Sequence, residues 1–125
     1  MRRIESKINP ASKEFTANRR NYHQVLNEFH DRQDKARFTR PERDIERLKR
    51  QNKMMPRVRL DLLLDPGTPF LEFSSLAANM AYDGDSPSAS CITGIGIVSG
   101  QEVVIIASDS TVKGGAWYPL TVKKM

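Results

Sequence analysis

Cysteine is all but missing from this 125-residue chain, and Cys91 stands alone. No internal disulfide can brace the fold. Histidine is nearly as scarce, with only His23 and His30. Seven residues apart, the two share a helical face but lack the i, i+4 spacing of helical zinc ligands, and with Cys91 they make no multi-ligand set. No apolar run approaches the ~20 residues that cross a bilayer. The opening stretch Met1–Lys7 has no apolar segment of a secretory signal, and Glu5 and Glu14 arrive early for an acid-poor mitochondrial presequence. A disulfide scaffold, a zinc module and a membrane span are therefore excluded, and the expectation is a soluble intracellular chain.

What the chain does have is charge, unevenly placed. Lys and Arg number 20 against 15 Asp and Glu, for a net charge of +5. Residues 1–60 carry 17 basic and 8 acidic residues, a balance of +9, whereas residues 61–125 carry 3 and 7, a balance of −4. The basic front holds the helix-period signals. The acidic back holds the glycines, the β-branched runs and the turn dipeptides. At this length the chain accommodates one compact unit rather than two full domains.

Asn9-Pro10-Ala11-Ser12 reads as a turn with Ser12 as N-cap of a helix reaching about Phe38. Phe15, Tyr22, Leu26 and Phe29 share one face of it, the pattern of a core-facing stripe rather than of base stacking. Basic residues with aromatics invite a nucleic-acid reading through phosphate neutralisation, but no RNA-binding or helix-turn-helix pattern accompanies them. Thr39-Arg40-Pro41 predicts a break, with Thr39 or Arg40 capping and Pro41 in the first turn of a second helix to about Lys53. A short helical segment from Pro56 stops at Asp65-Pro66-Gly67. Phe70–Phe73 is a short strand, Ser75–Ala81 a helical turn, and Tyr82–Pro87 a polar loop. Ile92–Val98 and Gln101–Ala107, joined by Ser99-Gly100, predict a hairpin. Val103–Ala107 lacks alternation, so that strand is expected to be covered on both faces. From Ala116 onward a helix is expected, leading toward a parallel partner strand.

Cys91 enters a strand and reads as a packed residue rather than a nucleophile. The segment 107–116 is the most informative: a strand leads through a polar loop and Gly114-Gly115 to a helix start. Free amides there suit an anion or a thioester oxygen, and the glycine pair admits a ligand to the backbone. Tight packing explains the same pattern, and the glycine spacing is not that of a P-loop.

Several blocks carry a resemblance. Residues 56–72, Ile92-Thr93-Gly94-Ile95-Gly96 with Val98-Ser99-Gly100, Asp109–Ala116 and Tyr118–Lys124 resemble, in order, segments of the carboxyltransferase (β) subunits of biotin-dependent acyl-CoA carboxylases. Ile4–Ile8 with Phe15 and Asn18, and the Tyr118–Lys124 run, look like the methylcrotonoyl-CoA branch, a leucine-catabolism ligase. Val58, Ser90, Ser108 and Ser110 depart from the usual Glu, Gly, Asn and Ala, and Ser90 is expected to strain a turn that prefers glycine.

The resemblance implies an α/β fold: a truncated crotonase-like carboxyltransferase N-terminal domain (56–125) behind an α-helical, basic amino-terminal extension (1–55). It implies transfer of a carboxyl group from carboxybiotin to an acyl-CoA. Biotin is carried on a partner subunit or domain, and the partner biotin carboxylase uses ATP. Enolate oxygens are held by backbone amides, so no catalytic side chain is assigned and no metal is implied. Arg57 and Arg59 are expected to face the CoA phosphates, or else to pair with Asp61 or Glu72; Lys113, Gly114, Gly115 and Ala116 are expected near the thioester. Expected partners are acyl-CoA, the biotin carboxylase and carrier, and other carboxyltransferase subunits in a homo-oligomer, with neither nucleic acid nor membrane. The compartment is the bacterial cytoplasm or the mitochondrial matrix. The principal oxyanion donors and the biotin-side domain are expected beyond Met125, leaving this piece inactive alone and loosely packed. The alternative is a non-catalytic interaction module that docks on intact subunits.

Overall fold

A computed structural model describes residues 5–125; Ile4, part of the amino-terminal resemblance, lies outside them along with the first three residues of the expected extension. The chain forms two compact units, the first ending at Arg32 and the second running Gln33–Met125. Both the expected domain boundary at 55/56 and the change of charge at 60/61 fall inside the second unit.

The first unit is mostly the leading part of α1 (Lys13–Phe38). Ser12 starts it as expected, its Oγ accepting the Phe15 N–H at 3.1 Å. The aromatic stripe is not a core face. Tyr22 is 64% and Phe29 43% exposed, with Phe15 and Leu26 only half-buried. A single helix gives this unit nothing to bury the stripe against.

In the second unit, α2 spans Glu42–Arg50 with Pro41 itself as the capping residue, not inside the first turn. Its ring fixes an extended entry and contributes no side-chain cap. The helix ends in a Schellman motif. Asn52, at φ 54°, donates to Lys49 O, and Lys53 donates to Leu48 O. Helix α3 (Pro56–Leu63) starts on Pro56 and stops at an extended Leu64 before Asp65-Pro66.

The sheet orders β1 (Leu71–Phe73), β2 (Cys91–Val98) and β3 (Gln101–Ser108), all antiparallel. The hairpin stands where the sequence placed it. Ser99 at φ 53° and Gly100 at φ 75° make a type I′ turn. Both turn amides donate to the Asp65 carboxylate, at 2.8 and 2.7 Å, and the Asp65 N–H donates to Ile97 O at 2.9 Å. The end of α3 is thereby tied to the hairpin tip.

Leu60, Ile92 and Ile105 form the core, packed by Leu64, Phe70, Val103 and Ala107, each large side chain contributing roughly 1.5–3 kcal/mol by burial. Phe70 and Leu64 lie so close over β2 that a Cβ at Gly94 would overlap Phe70, and one at Gly96 would overlap Leu64.

Three expectations fail in this region. β3 is an edge strand with one bare face, Val104 being 72% and Ile106 50% exposed; the strand covered on both faces is β2. Residues 75–81 are successive i to i+3 turns rather than a helical one, because Ala78 and Met80 sit at positive φ. The last helix, α4 (Pro119–Lys124), begins after Tyr118 rather than at Ala116, and no parallel strand occurs among the described residues.

Candidate functional site

The loop after β3 is built around Asp109. Its N–H donates to Ser90 O at 2.8 Å, continuing the hairpin ladder into the buried turn at 86–90. Ser90 there has φ 59°, so a serine does occupy a left-handed position that suits glycine. Asp109 Oδ1 accepts the Thr111 N–H at 2.9 Å and the Thr111 hydroxyl. Oδ2 accepts from Arg40 Nη2 at 2.7 Å and Nε at 3.1 Å, with both side chains only 5–6% exposed. Arg47 Nη2 adds a bond to Ser110 O at 2.9 Å.

From this anchor two turns follow, Val112 N–H to Asp109 O and Gly115 N–H to Val112 O. Lys113, Gly114 and Gly115 then hold φ of 46°, 74° and 92°. A Cβ at Gly114 meets nothing within 4 Å, whereas one at Gly115 meets Ser110. Gly114 is therefore the open approach to the backbone, and the Gly115 amide is already engaged. The glycine pair lies in a turn, not at a helix start, since α4 begins four residues after Gly115. Ala116 and Trp117 are exposed beside it, Trp117 by 61%.

Lys113 is exposed and pairs with Asp85 at 2.7 Å, a hydrogen bond and a charge that push its ammonium above its ordinary range. It stays cationic. Lys113, Arg40, Arg43, Asp85 and Thr111 line a cavity of about 130 Å³. A larger groove, about 370 Å³, runs between α3 and β3, with Arg59, Leu63, Ile105 and Ser108 on its walls. The two cavities share no lining residue, so Arg59 and Lys113 are not brought into one pocket.

Arg57 and Arg59 have different fates. Arg57 donates through Nη1 and Nη2 to Glu72 at 3.1 and 2.8 Å, through Nε to Arg37 O, and lies 5.6 Å from the Phe38 ring centroid. Of the two readings given for it, the ion pair with Glu72 is the one the structure holds. Arg37 adds a second cation 3.0 Å from Glu72, whose side chain is 4% exposed. Burial pushes the Glu72 carboxyl up, but the Arg57 hydrogen bonds and the charges of Arg57, Arg37 and Lys124 outweigh it and hold the group below the usual carboxylate range. Arg59 is exposed and forms no ion pair among the described residues.

Cys91 is fully buried and burial pushes its thiol up, partly opposed by Lys124, which suits packing and not nucleophilic attack. Lys124 Nζ donates to Ser88 O at 2.9 Å and Cys91 O at 2.7 Å, pinning α4. His23 meets Arg19 at 3.5 Å and His30 packs edge-on to Phe29. Among the described residues no three His, Cys, Asp or Glu side chains are grouped to hold a metal ion. No helix described is long and apolar enough to cross a membrane. The Asp65 clamp, the Arg37 contact with Glu72 and the role of Arg40 were not read from the sequence, whereas the Arg57–Glu72 pair was one of its two readings. The three unread contacts join residues far apart in the chain, and only the folded chain reveals them.

Residues 47–125 match the carboxyl transferase domain family. The chain belongs to that family. Seventy-four residues are 60% identical to the biotin-dependent 3-methylcrotonyl-coenzyme A carboxylase beta1 subunit of Mycobacterium tuberculosis, covering 59% of this chain and 14% of that one. The mitochondrial methylcrotonoyl-CoA carboxylase beta chain of Arabidopsis thaliana is 41% identical over 113 residues, 90% of this chain and 19% of that one. Among solved structures, the beta subunit of P. aeruginosa geranyl-CoA carboxylase superposes with a TM-score of 0.68 at 31% identity, over 97% of this chain and 23% of that one. The α/β carboxyltransferase fold expected from the sequence is thus the one present. The chain spans between 14% and 23% of the length of these carboxyl transferase relatives.

Proposed function

We propose that this chain forms the acyl-CoA-facing opening portion of a carboxyltransferase β subunit of the methylcrotonoyl-CoA type. The observation that carries the reading is the open backbone at Gly114, in a left-handed turn held by a buried ion pair, inside the segment that belongs to the carboxyl transferase family. An exposed amide edge without a covering side chain suits the close approach of a thioester oxygen. Lys113 to Ala116 take the thioester end. Arg59, a cation on the α3–β3 groove with no ion pair among the described residues, takes the phosphate end; Arg57 serves by fixing α3 against Glu72.

Biotin, carried by a partner whose biotin carboxylase component uses ATP, supplies the carboxyl group. The part played by these residues is to bind and orient the acyl-CoA. The enolate-stabilising donors and the biotin side come from further polypeptide, so these 125 residues alone bind without turning over. The setting is the bacterial cytoplasm or the mitochondrial matrix, in an assembly of several β subunits.

Trp117, the sole tryptophan, reports on this loop. Titrating the chain with 3-methylcrotonoyl-CoA should change its fluorescence saturably. Gly114→Val, which fills the approach and strains a φ of 74°, should abolish the change, and Arg59→Ala should weaken it. Absence of any saturable response in the parent chain at millimolar ligand overturns the proposal.

A second reading, docking on intact carboxylase subunits, is favoured by the bare face of edge strand β3 at Val104 and Ile106. Co-elution with an intact β subunit, lost in Val104→Lys, would support it; independent elution would end it.

A further inference from the structure

We infer that Arg40 is a positioning residue for the Lys113–Ala116 loop, acting through Asp109 and Thr111. The inference rests on the proposed acyl-CoA role of that loop. Arg40 lies between α1 and α2, 69 residues from Asp109, yet Nε and Nη2 of its guanidinium are given to that turn. Nε donates to both Thr111 Oγ1 at 2.9 Å and Asp109 Oδ2 at 3.1 Å, and Nη2 donates to Asp109 Oδ2 at 2.7 Å. Nη1 closes the donor set on Ala36 O at 3.0 Å and Thr39 O at 2.7 Å. The segment between the two helices thus presents a nearly buried guanidinium, with every nitrogen hydrogen-bonded, to a carboxylate that in turn organises the loop.

The connection from Arg40 to the open glycine is continuous. Asp109 Oδ1 fixes the Thr111 amide, the Asp109 carbonyl fixes Val112, and the Val112 carbonyl fixes Gly115. Gly114 lies between the last two and has no side chain to hold it. Its orientation is inherited from that chain of turns, and the chain of turns rests on a carboxylate whose charge Arg40 balances. Removing one member of such a buried pair strands the other's charge, so the turn geometry and the pair depend on each other. Lysine replaces the fork only in part, since its ammonium supplies the charge without the planar guanidinium's fixed spread of donors.

The test is amide hydrogen exchange on the full 125-residue chain, with coenzyme A affinity measured in parallel. Arg40→Met should speed exchange at Thr111, Val112 and Gly115 at least roughly tenfold, leave the β2–β3 amides at their parent rates, and weaken coenzyme A about tenfold, within the range usual for coupled sites. Arg40→Lys should recover part of both. Thr111→Val, which keeps the ion pair and removes the hydroxyl links, should give the same pattern at smaller amplitude and stands in if Arg40→Met does not fold.

Unchanged loop exchange in both Arg40→Met and Thr111→Val overturns the inference. So does exchange that rises equally in loop and hairpin, which marks a general stabilising role. If the parent chain binds no coenzyme A while loop exchange still responds to Arg40, the acyl-CoA reading fails and the positioning of the loop stands.

Discussion

Glu72 and Asp109 are both carboxylates closed off from water by arginine, and they do different work. Glu72, in β1, receives Arg57 from α3 and Arg37 from α1, with Lys124 of α4 adding a third positive charge. Four elements converge on one acid. Asp109 receives Arg40 alone, and its remaining capacity goes to the neighbouring Thr111. One acid joins distant elements; the other shapes the loop in which it sits. Burial of a charge is tolerable in both places because its partner and hydrogen bonds are present. The contrast teaches that the Glu72 cluster sets the architecture and the Asp109 cluster sets the local path of residues 109–115.

Removing each acid should separate these roles. Glu72→Leu leaves Arg37 and Arg57 facing each other without a counter-charge, and breaking a buried pair of this kind costs about 3–5 kcal/mol. Urea denaturation should show the loss at every probe together. Asp109→Asn keeps an acceptor for Thr111 and strands one arginine rather than two, so the expected cost lies at the lower end of that range, about 3 kcal/mol. Its effect should centre on the loop, seen as Trp117 becoming more accessible to a soluble quencher before the hairpin loosens. Equal losses in the two variants, or a hairpin that loosens first in Asp109→Asn, would erase the contrast.

The smallest expected effect is in pH. Because the Glu72 carboxyl is held below its ordinary range, its contribution is complete above the unfolded value of about 4.3 and is lost as pH falls through the lower folded value. Burial opposes the cations, so the acid-side loss should be modest. Comparing acid titrations of stability for the parent and Glu72→Gln, the parent alone should show this component. A parent curve parallel to the variant would remove Glu72 from the account.

Local features of this fold were legible before any coordinates. Ser12, Asp65-Pro66 and Ser99-Gly100 mark boundaries through the chemistry of their own backbone, so the α1 start, the α3 stop and the hairpin turn were readable. The families of residues in blocks 56–72, 92–100 and 109–124 carried the resemblance that the domain match bears out. What could not be read depends on long-range approach. Asp65 reaches the hairpin turn from 34 residues away, and Arg40 reaches Asp109 from 69. Composition offers many acids and arginines, and nothing local marks which will meet. The uniform run Val103–Ala107 misled for a related reason: it signals a strand, while which faces are covered depends on neighbours outside the strand. Likewise the Tyr22 and Phe29 stripe has the period of a core face without a partner in its unit.

The central claim is that an acyl-CoA thioester approaches the uncovered backbone of Gly114. It is tested most directly by amide chemical-shift mapping of the chain during titration with 3-methylcrotonoyl-CoA. The account predicts the largest saturable shifts at Lys113, Gly114, Gly115 and Ala116, with a second group around Arg59. Saturable shifts confined to α1 or the hairpin tip, with the 113–116 amides unmoved, would contradict it.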